Sequence, residues 1–251
     1  MPCACPWCGY DYQMISKWSG RVVVALLALV SASAAFSCGS SQAATSVPTI
    51  TAAEVLSRAS AATLQVESFE FALSHPSGTT SLPGGLFLTR ADGAVVSPDR
   101  LVVNAEANYG RVFVKVSGVV IEDRTYMTNF ITGAWSEIPA ADSPFAFLDP
   151  VGLLVGLLGQ VEQAGYADGG QEVGTAVIVG VMPAAPLAAL VGIVDESKSV
   201  AVRLRIDRTT FLLQDALIEG ALQPGDGPKA SRKVEFSAYN EPIVIDSPLS
   251  S

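Results

Sequence analysis

The sequence contains little cysteine, little histidine and few charged residues, and each scarcity excludes a class of site. All four cysteines, Cys3, Cys5, Cys8 and Cys38, lie near the start, so residues 39–251 can form neither a disulfide nor a thiolate metal site. His75 is the single histidine, and only 16% of the residues are charged. Catalysis needs several convergent polar groups, and this chain offers few of them.

The motifs that accompany the common catalytic chemistries are also absent. There is no G-x-S-x-G elbow, no H-E-x-x-H helix and no phosphate-binding loop. His75 stands beside "PSG" in a predicted hairpin turn, where we expect it to be solvated. Two acidic residues lie among glycines in "GYADGGQE" (165–172), and a turn before a strand explains them better than a calcium site. We therefore expect no enzyme, no cofactor and no metal.

The charge balance is acidic, with a formal net charge of −9. An acidic chain is a poor match for nucleic acid, which selects basic surfaces. It is equally a poor match for polybasic attachment to anionic lipid headgroups. We expect contact with a membrane to be made through acyl chains rather than through charge.

The first 37 residues have the pattern of an export signal. Lys17 and Arg21 precede an uninterrupted aliphatic segment, 22–29, and small residues follow it. This segment is too short for a membrane-spanning helix. The opening "CPWC" resembles half of a zinc-binding knuckle, but no second knuckle follows it. Met14 is the more natural start, because "MISKWSGRVVVALLALV" then forms an ordinary signal.

Cys38 could be a buried thiol, half of a disulfide, or the residue that receives lipid when a lipoprotein signal is cut. The position directly after the apolar segment favours the lipid. Ser37 suits that cleavage, whereas Ala35 stands where leucine is usual and Phe36 is bulky. An unlipidated secreted protein is the alternative. We expect a signal over residues 1–37, a flexible tether over 38–50 and one domain over 51–251.

The domain begins with a predicted helix and continues with strands. "TAAEVLSRASAATLQ" (51–65) has apolar residues on one helical face, and Thr51 with Glu54 forms a capping box. From residue 66 the apolar period changes to two, and turn residues recur about every ten positions. That spacing predicts an antiparallel meander.

A second helix is predicted over residues 149–166, "DPVGLLVGLLGQVEQAGY". Asp149 is its cap and Pro150 its first residue, and the helix is apolar on nearly all sides. Such a helix is either buried on two sides or in contact with a ligand. A strand over 171–182, a short helix over 183–193 and strands up to "PIVID" (242–246) follow. With about ten or eleven strands, the class is α+β: a single large curved antiparallel sheet, with helices on its concave side.

Five segments resemble, in order, the lipid-carrier lipoproteins of the LppX/LprA/LprF/LprG group. The resemblance covers residues 51–248, and no single segment is a catalytic signature. The segments are "EDRTYMTNFITGAWSEIP", "FLDPVGLL", "VIVGVM", "VRLRIDRTTFLLQDALIEG" and "VEFSAYNEP".

This resemblance implies a LolA-like half-barrel sheet, closed by helices over an apolar cavity that holds an acylated lipid or glycolipid. It also implies an exported protein on the outer face of the cell membrane, held there by a lipid on Cys38, and it allows an envelope transporter as a partner. A binding or structural module of the envelope without lipid cargo is the alternative, and an envelope hydrolase is a weaker one. We expect the cavity walls to come from the predicted helix and from nearby strands and turns: Leu153, Leu154, Leu157, Leu158, Phe87, Phe113, Met127, Phe145 and Phe147. Each of these could equally be ordinary core.

Overall fold

A computed structural model describes residues 50–139 and 150–249 of the chain. They belong to one structural unit, Val47–Ser251. The predicted signal, Cys38, and the tether up to residue 49 lie outside the described residues. So do Phe145 and Phe147, and the predicted helix cap Asp149.

The described residues form three α-helices and twelve strands. The helices are α1 (Ala52–Thr63), α2 (Pro150–Gly159) and α3 (Ala188–Val191). The strands are β1 (Ser68–Ser77), β2 (Thr80–Leu82), β3 (Leu86–Val96), β4 (Arg100–Tyr109), β5 (Val112–Ile121), β6 (Arg124–Thr128), β7 (Trp135–Ile138), β8 (Glu162–Glu172), β9 (Thr175–Pro183), β10 (Ser199–Asp207), β11 (Leu213–Glu219) and β12 (Ser231–Ser237).

All the strands belong to one open antiparallel sheet, which confirms the predicted class. The order across the sheet is β7-β6-β5-β4-β3-β1-β12-β11-β10-β9-β8, and β2 pairs with β3 outside this order. The first and last strands of the chain, β1 and β12, therefore pair in the middle of the sheet. Strands β7 and β8 form its two edges, and α2 lies between them in the sequence.

Helix α1 forms where its apolar period and its capping residue predict it. The Thr51 hydroxyl accepts a hydrogen bond from the Glu54 amide at 3.1 Å, which satisfies one of the free N–H groups of the first turn. Val55, Leu56 and Ala59 are buried against the sheet. The opposite side of the helix is exposed and carries the Glu54–Arg58 ion pair.

The second helix is shorter than the sequence predicts, because α2 ends at Gly159 rather than at residue 166. Residues 162–172 form the edge strand β8 instead, paired with β9. Over residues 161–166 the apolar positions fit a helix as well as a strand. Val161, Ala164 and Tyr166 all pack against the core. Two glycines within the helix and one at its end also weaken its continuation.

Two further expectations were wrong. The acidic residues of "GYADGGQE" lie within β8 and not in a turn before a strand. The segment "PIVID" forms no strand. Ile245 is nevertheless buried, and its carbonyl accepts a hydrogen bond from Arg100 at 3.0 Å.

The two faces of the sheet are covered differently. We call the face against which α1 and α2 pack the inner face and the other the outer face. On the outer face Val119 and Tyr126 pack with Ile245, so the extended C-terminal segment covers part of this side. The inner face carries the other three core clusters.

Candidate functional site

Helix α2 is the central element of the inner face. Leu158 joins the cluster formed with α1, β9 and β10, while Leu153 and Leu157 join a second cluster around Met182. Val151 and Leu154 join a third cluster, around β1, β3 and β4. The helix is apolar on nearly all sides because three groups of core residues surround it.

The rest of the inner face, over β1 and β3 to β6, carries a group of apolar side chains. The register places its side chains in one continuous row across the strands. Within the described residues, none of the members named here belongs to a core cluster, and most are only half-buried. These residues, which we call the aliphatic row, are Leu73, Ala91, Val103, Ala105, Val116 and Met127.

Gly93 lies where β3 pairs with β1, and the structure leaves no room there for a side chain. A Cβ atom on Gly93 would lie 2.1 Å from the carbonyl oxygen of Val102 and 2.9 Å from the ring of Phe71. Phe71 is the direct partner of Gly93 in the register, so its ring lies over the glycine. A larger residue at position 93 would therefore push β3 and β4 apart or displace the ring of Phe71.

A cleft of about 310 Å³ opens on the other side of α2. This volume is at the small end of the range for ligand pockets. Its walls are Gly152, Leu153, Gly156, Leu157, Gln160 and Pro186. Gly152 and Gly156 create the opening, because they leave one side of α2 without side chains.

A polar cluster is buried where β2, α3 and the loop between β11 and β12 meet. The Arg232 guanidinium, 2% exposed, forms an ion pair with Asp226 at 3.0 Å and donates from Nε to the Thr80 hydroxyl at 2.8 Å. Gln223 donates to the carbonyls of Ser81 and Val191, which ties β2 to α3. Nη1 of Arg232 is the one buried side-chain nitrogen or oxygen without a hydrogen-bond partner in the described part of the chain.

His75 belongs to the same cluster, and its predicted position in a solvated turn was wrong. It lies in β1, where Nε2 is 2.8 Å from the Thr80 hydroxyl and Nδ1 is 2.9 Å from the Thr89 carbonyl. Burial lowers the pKa of His75, and Arg232 lowers it further, against the opposing effects of the Thr89 carbonyl and Asp226. Both ring nitrogens are engaged, which leaves neither free to act as a catalytic base.

The structure separates the predicted wall residues into two groups. Met127 lies in the aliphatic row, and the four leucines of α2 pack against the sheet on the same face. Phe87 and Phe113 lie on the outer face instead, because both pair with Asn108 in the register, and both are exposed.

Sequence reasoning missed Arg232, although the signal was present. In "SRKVEFS" the period of two places Arg232 on the same face as Val234 and Phe236. An arginine in phase with two apolar neighbours is a candidate for a buried, paired charge.

Two further findings concern the described residues alone. They include no group of three or more His, Cys, Asp or Glu side chains arranged to hold a metal ion. None of the helices within them has both the length and the apolar character that crossing a bilayer requires.

Comparison with known proteins identifies the fold. No protein-family model and no curated protein sequence matches the chain. The solved structure of LprF from Mycobacterium bovis is 18% identical, with a TM-score of 0.59, and the match covers 78% of this chain and 96% of LprF. The lipoprotein LppX of Mycobacterium tuberculosis is 22% identical, with a TM-score of 0.54, over 78% of this chain and 98% of LppX. The chain therefore has the LppX/LprF-type fold.

Proposed function

We propose that this protein is a lipoprotein of the cell envelope that binds, and carries, an acylated lipid against the inner face of its sheet. Cys38 carries the membrane anchor in this proposal. The aliphatic row is the observation that supports it most. These side chains are apolar and most are half-buried, and they lie outside the core clusters of the described residues. The shared fold with a protein described as a lipoprotein agrees with it.

The chemistry of the row suits an acyl chain. Alanine, valine and leucine offer no hydrogen-bond donors or acceptors and methionine only a weakly accepting sulfur, so a chain can slide along them without a preferred position. Each methylene that is kept from water is worth about 0.8 kcal/mol. A chain taken from a membrane is already dry, however, and the net free energy of transfer is therefore small. A small net free energy makes loading and release reversible, which a carrier requires.

The leucines of α2 form one boundary of this surface. Leu154 packs with Val95 and Leu101 next to the row, and Leu153 and Leu157 line the cleft on the far side of the helix. A ligand in the cleft would therefore contact α2, and a ligand on the row could reach α2 at Leu154. The polar cluster at Arg232 and His75 offers buried polar groups for a headgroup.

The sharpest test compares two tryptophan substitutions at neighbouring positions of β4. Ala105→Trp fills the aliphatic row, whereas Asn104→Trp places the same ring on the exposed outer face. Each protein is purified under native conditions, and its bound lipid is measured by mass spectrometry. We expect wild type and Asn104→Trp to carry a lipid of defined mass and Ala105→Trp to lose it. Equal lipid in both variants, or none in the wild type, would contradict the proposal.

A binding module without cargo is the second candidate, and one observation favours it. Over β8 to β12 the inner face is filled by the protein's own side chains, including Ile178, Leu204 and Ile206. In this second candidate no lipid occupies the aliphatic row, and the protein recognises a partner through its surface alone. The absence of lipid from natively purified wild-type protein would support this candidate.

A further inference from the structure

We propose that one end of the sheet docks into the surface of a lipid membrane. The turns between β2 and β3, β4 and β5, and β6 and β7 all lie at this end, because successive turns of an antiparallel meander alternate between two ends. We call these turns and their flanking residues the apolar end. Its exposed hydrophobic side chains are Phe87, Tyr109, Val112, Phe113, Phe130 and Ile131.

These side chains occupy neighbouring positions and together form a patch. The rings of Tyr109 and Phe130 are 6.3 Å apart, which joins the turn after β4 to the turn after β6. Phe87 and Phe113 flank Asn108 on adjacent strands. Ile131 is 80% exposed and Val112 is 60% exposed, so most of the surface of these two apolar side chains is open to solvent. Exposed patches of this kind mark interaction sites.

The patch covers both faces of the sheet at this end, which favours a membrane over a protein partner. Phe113 points to the outer face, whereas Val112, its neighbour, points to the inner face with Tyr109. A partner protein that packed on one face would leave the other face exposed to water. A fluid bilayer surrounds an inserted end on all sides. Aromatic and aliphatic side chains together are also the composition that the membrane interface prefers.

Charge distinguishes the two ends of the meander. Residues 82–87, 108–113 and 129–134 contain no acidic residue and one basic residue, Arg111, although the whole chain has a net charge of −9. The matching residues at the opposite end, 96–101 and 121–126, contain three acidic residues, Asp99, Glu122 and Asp123, and two arginines. An anionic lipid surface would therefore favour the apolar end over the opposite end, while the apolar side chains supply most of the contact.

The patch continues at helix α3, next to β2. Gln223 bridges the carbonyls of Ser81 and Val191, and the exposed side chains of Leu190 and Ile193 flank this contact. The apolar end therefore extends beyond the meander. This docking surface goes beyond the proposed lipid binding, because an unloaded protein would present it as well.

The test measures which end of the full-length protein enters the bilayer. Ile131→Trp places a fluorescent probe at the apolar end, and Asp123→Trp places the same probe at the opposite end; both positions are exposed turns. Each variant is mixed with vesicles of phosphatidylcholine and phosphatidylglycerol that carry brominated acyl chains. Quenching of the wild-type protein, which has three tryptophans of its own, is subtracted.

We expect bromine to quench the tryptophan at position 131 and to leave that at position 123 unquenched. Adding Arg111→Gln to Ile131→Trp lowers the affinity for these anionic vesicles about fivefold, the effect of one basic residue near such a surface. Adding Phe113→Asp instead abolishes the quenching. Equal quenching at both ends, or none at position 131, would overturn the inference. Neither readout requires bound cargo, so this inference and the proposed function can fail separately.

Discussion

The guanidinium of Arg232 and the carboxylate of Asp226 form an ion pair, 3.0 Å long, between side chains that are 2% and 9% exposed. Asp226 also accepts hydrogen bonds from the backbone N–H groups of Leu222 and Gln223, which hold its carboxylate beside the arginine. The pair holds the loop between β11 and β12 against β2.

Breaking this pair should destabilise the fold strongly. Asp226→Asn keeps the shape of the side chain and leaves the Arg232 charge buried without a counter-charge, which costs about 3–5 kcal/mol. The free energy of unfolding in urea measures this loss. Glu137→Gln is the control, because it breaks the exposed Arg124–Glu137 pair and should leave the unfolding midpoint unchanged. Similar midpoints for the two variants would show that the buried pair contributes little.

Stability should depend on pH through His75. Its pKa is lowered in the folded protein, mainly by burial, so between the folded pKa and the ordinary value of about 6.5 the unfolded chain binds more protons. The free energy of unfolding is therefore fully maintained above pH of about 6.5 and falls as the pH decreases through that value. Urea titrations at several pH values should show this decrease in the wild type. In His75→Gln this part of the pH dependence should disappear; an unchanged profile would exclude His75 as its source.

Gly93 should not tolerate a side chain. Gly93→Ala places a Cβ atom against the Val102 carbonyl and the Phe71 ring, and overpacking of this kind costs about 1–3 kcal/mol. Gly165→Ala is the matched control, because a Cβ atom at that strand position meets nothing within 4 Å. Thermal unfolding of both variants measures the difference. A Gly93→Ala protein as stable as Gly165→Ala would mean that the two strands can separate without cost.

The anchor is tested by removing the sulfur that would carry it. Cys38→Ala should release the protein from the membrane fraction, because the acyl chains that hold it durably can no longer be attached. Cell fractionation with detection of the protein in each fraction measures this release. Retention of the Cys38→Ala protein in the membrane fraction would instead indicate that the apolar segment 22–36 is the anchor.

The elements with one clear period were predictable from the sequence. In β10, Val200, Val202, Leu204 and Ile206 alternate with polar or small residues, and all four are buried. Helix α1 combines a cap with a single apolar face. In both elements the local pattern and the packing agree, so no knowledge of the partner strands is needed.

The alternation of apolar and polar residues could not assign the faces of a strand where consecutive residues are all apolar. Val112, Phe113 and Val114 are consecutive, and alternation says only that Phe113 points away from its two neighbours. Which side faces the helices is decided by the register with β4 and β6, which no local feature reveals. The same reason explains the error at α2, because its apolar residues continue into a strand that also reaches the core. Composition could not reveal the polar cluster, whose members come from four separate elements.

The pairing of β1 with β12 has a consequence for how the chain acquires its structure. The middle of the sheet joins segments from opposite parts of the sequence, as in the hydrogen bond between Glu67 and Asn240, which are 173 positions apart. Strands β1 to β7 and strands β8 to β12 can each pair locally, but the two halves of the sheet cannot join until β12 has been made. Contacts over such long separations slow folding. The sheet therefore cannot be completed until almost the whole chain has been synthesised.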